Sequence, residues 1–273
     1  MLKNDLILIG ELLLALSILT GLFGILNAAV HRDFKKMLAY CTIENIGIIG
    51  AGFGLALIGM GTNNLLLLVI GLSGALLHTL NHSLFKSLLF FSAGSVYQQT
   101  HTRDMEKLGG LVKKMPQTAI IFLIGSLAIA GMPPFNGFVS EFIIYNGFLK
   151  GINTIGLFHS TLIILALSGL AIIGGLSLLT FAKSFSTIFL GSPRELLKEE
   201  PVEASLLMRI PQYLIIAVMI SIGLFPQLYF SVVSQLIGSL NPAFHVNDSS
   251  FLQQMTTLMG NIGKYSLLFL LLL

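Results

Sequence analysis

The chain has 273 residues, of which 55% are hydrophobic and only 10% are charged, and its mean hydropathy is +0.89. Soluble domains carry roughly a quarter charged residues, so this composition excludes an ordinary soluble protein and predicts a helical membrane protein. The formal charge of +3 is small and dispersed, which gives no argument for a nucleic-acid partner. The single cysteine, Cys41, excludes an internal disulfide and a cysteine-bound cluster.

Long apolar segments recur along the chain. A helix needs roughly 20 consecutive apolar residues to cross the hydrocarbon core of a bilayer. The predicted spans are Leu6–Val30, Met37–Met60, Leu65–Val96, Ile155–Leu190, Ile210–Ile237 and Met255–Leu273. We therefore predict one transmembrane domain over residues 1–273.

Two shorter apolar segments lie between the third and fourth of these spans. Gln117–Ala130 and Phe138–Leu149 are each too short to cross about 30 Å of hydrocarbon with ease. Residues 131–137, which include Pro133 and Pro134, separate them. We interpret the pair as one discontinuous helix, of the kind in which transporters place their ion sites. Two short helices in a hairpin are the alternative.

The basic residues support a count of seven crossings. Ten of the 15 Lys and Arg residues fall in the loops 31–36, 98–115 and 191–209, which lie on one side if 117–149 is a single crossing. The opposite side has only Lys3 and Lys150. Because cytoplasmic loops carry an excess of Lys and Arg, we predict a multi-pass protein of the cell membrane with its N-terminus outside.

Ionisable residues inside the predicted spans are the candidate functional groups, since such groups are costly in a membrane. His78, His82 and Lys86 are spaced by four, so they share one helix face over about 12 Å. Imidazoles exchange protons near neutral pH, and a buried lysine can also lose its proton. The row therefore predicts a proton relay. A polar cluster that only holds helices together and a metal site remain alternatives.

Three further residues extend this set. Glu141 lies just after the interruption, where it is suited to be a terminal proton donor or acceptor, or a charge favoured by a helix N-terminus. Glu44 lies one turn inside the second span and is either a partner of Lys86 or Lys183 or a headgroup-level carboxylate. Lys183 either belongs with these ionisable residues inside the bundle or has a side chain that extends to the membrane–water interface. Weaker candidates are Glu11, His159 and Lys264.

Several stretches of the chain resemble a known family in the same order. The chain contains His-Arg-Asp-Phe-Lys-Lys-Met-Leu-Ala-Tyr-Cys-Thr-Ile-Glu-Asn-Ile-Gly at 31–47, a His-x₃-His-x₃-Lys helix at 78–86, and Met-Pro-Pro-Phe-Asn-Gly-Phe-Val-Ser-Glu at 132–141. These segments resemble the antiporter-like, proton-translocating subunits of respiratory complex I, Mrp-type antiporters and membrane-bound nickel–iron hydrogenases. The match covers about 31–191. Glu141 and the Ile43-Glu44-Asn45 sequence most resemble the hydrogenase-4 and formate hydrogenlyase branch.

The resemblance implies an all-α polytopic bundle of about seven transmembrane helices that corresponds to the second repeat of an inverted-repeat transporter. Residues 1–191 would form the proton-conducting part, and 210–273 would add C-terminal helices. Lys86 would be the central channel lysine with His78 and His82 as relay partners. Glu141 would be the terminal residue, and further polar-axis positions would be Glu44 and Lys183.

The resemblance also implies a role and a set of partners. The chain would be a proton-translocating membrane subunit of a respiratory oxidoreductase complex, with no catalytic centre, cofactor or metal of its own. Its partners would be the lipid bilayer, other membrane subunits and a peripheral hydrogenase or dehydrogenase module. The first repeat of the family is absent, so a separately encoded N-terminal half is a further expected partner, and whether the chain is a fragment, half of a split gene or complete stays open. Alternatives are a structural anchor and a subunit of a Na⁺(K⁺)/H⁺ antiporter.

Overall fold

A computed structural model describes residues 2–152, 156–195, 199–240 and 249–272. Within these residues the chain forms helices and no strand. Five helices, α1, α2, α3, α6 and α7, are long and apolar enough to cross a membrane. The helices are α1 (Leu2–Val30), α2 (Phe34–Gly61), α3 (Leu65–Thr100), α4 (Pro116–Ile129), α5 (Asn136–Gly151), α6 (Leu157–Phe189), α7 (Leu206–Leu224), α8 (Pro226–Leu240) and α9 (Ser249–Leu272). The predicted all-α membrane bundle is confirmed.

The three basic loops meet at one end of the bundle, which we call the basic end. The backbone N–H of Phe34 donates to the Arg103 carbonyl at 2.9 Å, and that of Gly110 donates to the Leu190 carbonyl at 2.9 Å. An exposed salt bridge of 2.9 Å joins Lys114 to Glu200. These contacts place the loops before α2, before α4 and after α6 side by side.

Helices α4 and α5 together form one passage of the chain, which here means one crossing from one end of the bundle to the other. At the basic end, the Glu203 carboxylate accepts the backbone N–H of Gln117 at 2.7 Å. At the opposite end, Gly151 lies against Leu67, in the first turn of α3. The pair therefore runs from one end to the other, as the discontinuous-helix interpretation predicts and the hairpin interpretation does not.

Helices α7 and α8 form a second interrupted passage. We predict one continuous span over Ile210–Ile237, but α7 ends at Leu224 and α8 begins at Pro226. Proline has no N–H to donate to the carbonyl four residues earlier, so the helix is interrupted there. Near the opposite end, Ile237 packs with Val69 of α3. With α9 returning beside α8, the described residues make seven passages, of which two rather than one are interrupted.

Small residues bring α1 against α2. A Cβ on Gly54 would lie 2.9 Å from the Gly10 carbonyl oxygen, and Gly24 lies against the backbone of Glu44. Close approach through glycine is a common way to pack membrane helices, because lipid provides no hydrophobic drive for them to associate. This packing fixes the backbone that carries Glu44.

Candidate proton-relay site

Helix α3 carries the polar row through the middle of the bundle, between α2 and α5. His78 is fully buried and Lys86 is 6% exposed, whereas His82 is partly buried. The two neighbouring helices supply the groups around the row. A helix that buries an imidazole and an ammonium among apolar side chains must give them polar partners, and the structure shows what those partners are.

His78 is hydrogen-bonded on both ring nitrogens. Its Nε2 lies 3.1 Å from Oδ1 of Asn45 on α2, and its Nδ1 lies 2.9 Å from Oγ of Ser140 on α5. Asn45 and Ser140 are themselves completely buried. The imidazole therefore joins three helices through polar contacts and has a fixed ring orientation.

A pair of asparagines connects the row to the α4–α5 interruption. Asn81, one turn after His78, donates from Nδ2 to the Asn136 carbonyl at 2.8 Å and to Ser140 Oγ at 2.9 Å. In return Asn136 donates to Oδ1 of Asn81 at 3.1 Å. Asn136 is the first residue of α5, and its Oδ1 is buried without a hydrogen-bond partner among the described residues. The start of α5 is thus held on α3 by reciprocal amide bonds.

Lys86 lies deeper toward the basic end than the histidines. Its ammonium donates to the Leu38 carbonyl of α2 and lies 5.5 Å from the centre of the Phe90 ring. The charges of Lys86 and Glu44 are close enough to interact. His82, between Lys86 and His78, has a buried Nε2 with no hydrogen-bond partner among the described residues. This imidazole nitrogen is therefore left available for a further hydrogen bond.

Glu44 lies on α2 beside Ser177 of α6. Both side chains are about 1% exposed. Ser177 and Cys41 are close enough to interact with the carboxylate, but within the part of the chain that the structure describes neither Glu44 Oε2 nor Ser177 Oγ has a hydrogen bond of good geometry. Glu44 therefore faces the interior of the bundle.

Glu141 folds back over the interruption. Its carboxylate lies against Gly131, where an added Cβ would come within 2.6 Å of Oε2, and Gly131 has a positive φ of 64°. One turn before Glu141, Gly137 packs on the Ala128 carbonyl at the end of α4. The two glycines allow the half-helices to approach closely and leave room for the carboxylate between them.

The remaining candidates lie outside this cluster. Lys183 is exposed on α6, and its ammonium donates to the Ala29 carbonyl at 3.2 Å, near the end of α1. Glu11 of α1 pairs with His159 of α6 instead of joining the row. Lys264 is exposed on α9. The structure thus brings His78, Lys86 and Glu44 together in the core and places Lys183 apart from them.

The metal alternative for the two histidines concerns α3 and its surroundings in the described part of the chain. No group of three or more His, Cys, Asp or Glu side chains there is arranged to hold an ion. The metal alternative for His78 and His82 would need such a third ligand.

The site contains polar residues that were not among the predicted site residues: Asn136, at the start of α5, and four residues in helix interiors. Their common feature is a polar side chain in an apolar helix, which the sequence does display; what it does not display is the direction in which each one points. Only the neighbouring helices identify them as partners of the row. They are Asn45, Asn81, Ser140 and Ser177.

With this geometry in place, comparison with known proteins identifies the class. Residues 2–188 match the family described as NADH:quinone oxidoreductase/Mrp antiporter, transmembrane, and the chain belongs to that family. The predicted resemblance is therefore confirmed, and so is the multi-pass membrane location.

Particular relatives support the predicted branch. The chain is 41% identical over 217 residues to hydrogenase-4 component B of Escherichia coli K12, covering 79% of this chain and 32% of that protein. It is 46% identical over 203 residues to formate hydrogenlyase subunit 3 of the same organism, covering 74% and 33%. The chain thus spans about a third of the length of these relatives.

Solved structures share the fold. The Mrp complex of Dietzia sp. DQ12-45-1b superimposes with a TM-score of 0.71 at 21% identity, covering 90% of this chain and 49% of that one. Respiratory complex I of Thermus thermophilus gives a TM-score of 0.59 at 20% identity, covering 93% and 45%. Both similarities are in the fold, which this chain shares over at least nine tenths of its own length.

Proposed function

We propose that this chain is a proton-translocating membrane subunit of a respiratory oxidoreductase complex of the hydrogenase-4 and formate hydrogenlyase type. Protons would pass along the row of His78, His82 and Lys86, with Glu44 beside Lys86 and Glu141 at the interruption. The chain would hold no redox centre. Electron transfer in a peripheral hydrogenase or dehydrogenase module would change the protonation of the row.

One observation carries the proposal: three titratable side chains are stacked on one face of α3 inside a membrane bundle. Among the described residues Lys86 donates only to a backbone carbonyl, and the titratable groups near it include Cys41 and Glu44. A cluster built only to hold helices together would satisfy its polar atoms. Among the described residues Glu44 Oε2 and His82 Nε2 are left without partners, which favours sites that exchange protons through water.

The direct test replaces Lys86 with methionine, which keeps the length of the side chain and removes its charge. The complex containing Lys86→Met is reconstituted in vesicles, and proton uptake is measured together with electron transfer. We expect coupled proton movement to be lost while the complex still assembles. Lys183→Met is the matched control, because it removes an exposed lysine of α6 by the same substitution, and it should transport protons normally.

Two results would contradict the proposal. Normal proton transport by Lys86→Met would show that the relay does not need Lys86, its central member. Equal loss in Lys86→Met and Lys183→Met would show that any lost lysine disturbs the bundle, so that the buried row has no special role.

Na⁺(K⁺)/H⁺ antiport is the second candidate, favoured by one similarity. The chain is 31% identical over 261 residues to a Na(+)/H(+) antiporter subunit of Bacillus subtilis, covering 90% of this chain and 32% of that protein. The same residues would then exchange a cation for a proton. Proton flux that requires Na⁺ or K⁺ on the opposite side of the vesicle would favour this function over redox-driven translocation.

The proposal extends to topology and partners. The basic end would face the cytoplasm and the N-terminus of α1 would face outward, since Lys and Arg concentrate on cytoplasmic loops. A first antiporter-like repeat, whether from another chain or not, would pack beside α1. The face of α1 that points away from the rest of the bundle is apolar. Exposed residues of that face are Leu8, Leu12, Leu16, Leu19, Phe23 and Leu26. Crosslinks from this face to another membrane subunit would test the contact.

A further inference from the structure

The hydrogen bonds around His78 determine which ring nitrogen carries its proton. Asn45 Nδ2 donates to the Cys41 carbonyl at 2.8 Å, which turns the amide oxygen toward His78 Nε2 at 3.1 Å. An amide oxygen only accepts hydrogen bonds. Rotating the amide would set its oxygen against the Cys41 carbonyl, two acceptors facing each other. The neutral imidazole therefore carries its hydrogen on Nε2 and has a lone pair on Nδ1.

Ser140 faces that lone pair with a hydroxyl that has two acceptors within reach. Its Oγ lies 2.9 Å from His78 Nδ1 and 3.1 Å from the Gly137 carbonyl, one turn earlier in α5. Asn81 Nδ2 donates to the same oxygen at 2.9 Å. Because a hydroxyl has one hydrogen and two lone pairs, Ser140 can donate to either His78 or Gly137 and still accept from Asn81.

This arrangement satisfies both charge states of His78 without movement of any heavy atom. In the neutral state Ser140 donates to Nδ1. When a protonated water molecule gives a proton to Ser140 Oγ and the hydroxyl proton of Ser140 passes to Nδ1, a new N–H bond forms, Ser140 again has one O–H bond and the water is left neutral. The Ser140 hydroxyl then rotates to the Gly137 carbonyl and accepts from Nδ1–H, while its O–H bond stays intact. Nε2–H donates to Asn45 throughout.

We infer that Ser140 is a positioning residue for proton relay at His78, a hydroxyl rotor that supplies a donor to the neutral ring and an acceptor to the charged ring. This inference rests on the proposed function. It gives α5 a second residue in the relay, since the rotor lies next to Glu141 in the chain and on the first turns after the interruption. The charged ring would depend on the rotor most, because hydrogen bonds to charged groups are the stronger ones.

The test compares Ser140→Ala with a matched serine in the reconstituted complex. Ser126 of α4 is also buried, but among the described residues its hydroxyl donates only to the Phe122 carbonyl one turn earlier. We expect Ser140→Ala to slow coupled proton transport by about fivefold or more, since a buried polar atom left without its partner is costly. Ser126→Ala should transport normally, and Ser140→Thr, which keeps the hydroxyl, should restore most of the rate.

A spectroscopic measurement separates a rotor from a merely structural serine. Solid-state NMR of the complex with ¹⁵N-labelled histidine reports which nitrogen of each ring is protonated, and the His78 signals are assigned by their loss in His78→Gln. We expect a neutral ring with hydrogen on Nε2 in the wild type. Ser140→Ala should change the Nδ1 signal and Ser126→Ala should not. Hydrogen on Nδ1 in the neutral wild-type ring would overturn the inference even if no Ser140 variant assembled.

The outcomes also distinguish this inference from the proposed function. Loss of transport in Lys86→Met together with normal transport in Ser140→Ala would overturn the role of Ser140 alone. Retained transport in Lys86→Met would overturn the proposed relay. Failure of Ser140→Thr to restore a rate lost in Ser140→Ala would count against the hydroxyl as the group that matters.

Discussion

The two interrupted passages differ in what surrounds them, although both contain proline and both run from the basic end to the opposite end. Between α4 and α5 the interruption covers residues 130–135, and buried polar side chains follow it: Asn136, Ser140 and Glu141. Between α7 and α8 only Phe225 lies outside a helix, and its side chain is exposed. The first interruption faces the polar row of α3, whereas the second faces apolar residues of α3 and α9.

The difference indicates that a proline does not make an ion site by itself. Backbone N–H and C=O groups that lose their helical hydrogen bonds at membrane depth must be buried in protein or face water. Either surrounding is compatible with a stable bundle. The first interruption acquires a candidate function from three side chains on the facing helices, His78, Asn81 and Asn45. The two interruptions also touch, since Gly223 at the end of α7 lies on the Pro134 carbonyl.

Substitution of Glu141 should give the largest contrast between the interruptions. Glu141→Gln keeps the shape of the side chain and removes its ability to exchange a proton. We expect proton transport to fall by about 100-fold or more, as when a proton-transferring group is removed from an enzyme. Gln227, at the start of α8, is the matched polar residue at the second interruption, and Gln227→Leu should transport normally. The rates of both variants are measured as proton uptake by reconstituted vesicles. Similar rates in the two variants would contradict a functional difference between the two interruptions.

Gly131 offers a test of how the first interruption holds its carboxylate. Gly131→Ala places a Cβ within 2.6 Å of Glu141 Oε2 at a residue with a φ of 64°. We expect a loss of about 1–2 kcal/mol from the left-handed backbone and about tenfold slower transport from the displaced carboxylate. Thermal unfolding in detergent and proton uptake report the two effects separately.

The control for Gly131 is a glycine with open space beside it. A Cβ added to Gly94 of α3 would have no described atom of another residue within 4 Å beyond its own helix backbone, so Gly94→Ala should keep both stability and transport. Full transport in Gly131→Ala would mean that the position of the Glu141 carboxylate is not critical.

The sequence predicts these two regions unequally, for physical reasons. Two short apolar halves around Pro133 and Pro134 cannot each span a bilayer, so the first interruption follows from length alone. The second does not follow in this way, because Pro226 lies in an apolar run that is long enough to cross without a break. Membrane helices often tolerate proline, so the residue type does not decide between a kink and an interruption.

The site shows the same limit at the level of single side chains. Spacing by four places His78, His82 and Lys86 on one helix face, and the structure agrees. Spacing cannot say which helix they face, so Asn45 and Ser140 were not among the predicted site residues. Nor does position in a span reveal direction: Lys183 belongs to an apolar helix, yet it lies exposed beside α1. The roles of all these residues in proton transfer stay predictions.

Gly223→Ala should show whether the second interruption supports the first. The added Cβ would run into the Pro134 carbonyl, so the end of α7 must move away. We expect a loss of about 1–3 kcal/mol in stability, as for other overpacked contacts, with a smaller effect on transport than in Gly131→Ala. Gly260→Ala on α9 is the control, because its nearest neighbour would be 3.6 Å away. Equal melting temperatures for both variants would show that the interruptions are independent.

The smallest effect is expected at the basic end, where two carboxylates of the loop between α6 and α7 lie in different settings. Glu203 accepts from Gln117 N at 2.7 Å and from Thr118 N at 3.3 Å at the start of α4, just before α7 begins. Glu200 pairs only with the exposed Lys114, whose hydrogen bond and charge hold the pKa of that carboxyl below its ordinary value. The Glu200–Lys114 pair therefore contributes its stabilisation at pH values above the ordinary pKa of a glutamate. That contribution is lost as the pH falls through the lowered pKa of Glu200.

Replacing each carboxylate by its amide separates the two settings. Glu203→Gln keeps an acceptor but loses the charge that favours a helix N-terminus, so we expect a loss of about 0.3–1 kcal/mol. Glu200→Gln should leave the melting temperature at neutral pH unchanged within measurement, since solvent screens an exposed pair. If Glu200→Gln were the more damaging variant, α4 would be anchored by the salt bridge with Lys114. The hydrogen bonds that Glu203 accepts at the start of α4 would then be unimportant for stability. The first interruption would instead depend on a contact that salt can weaken.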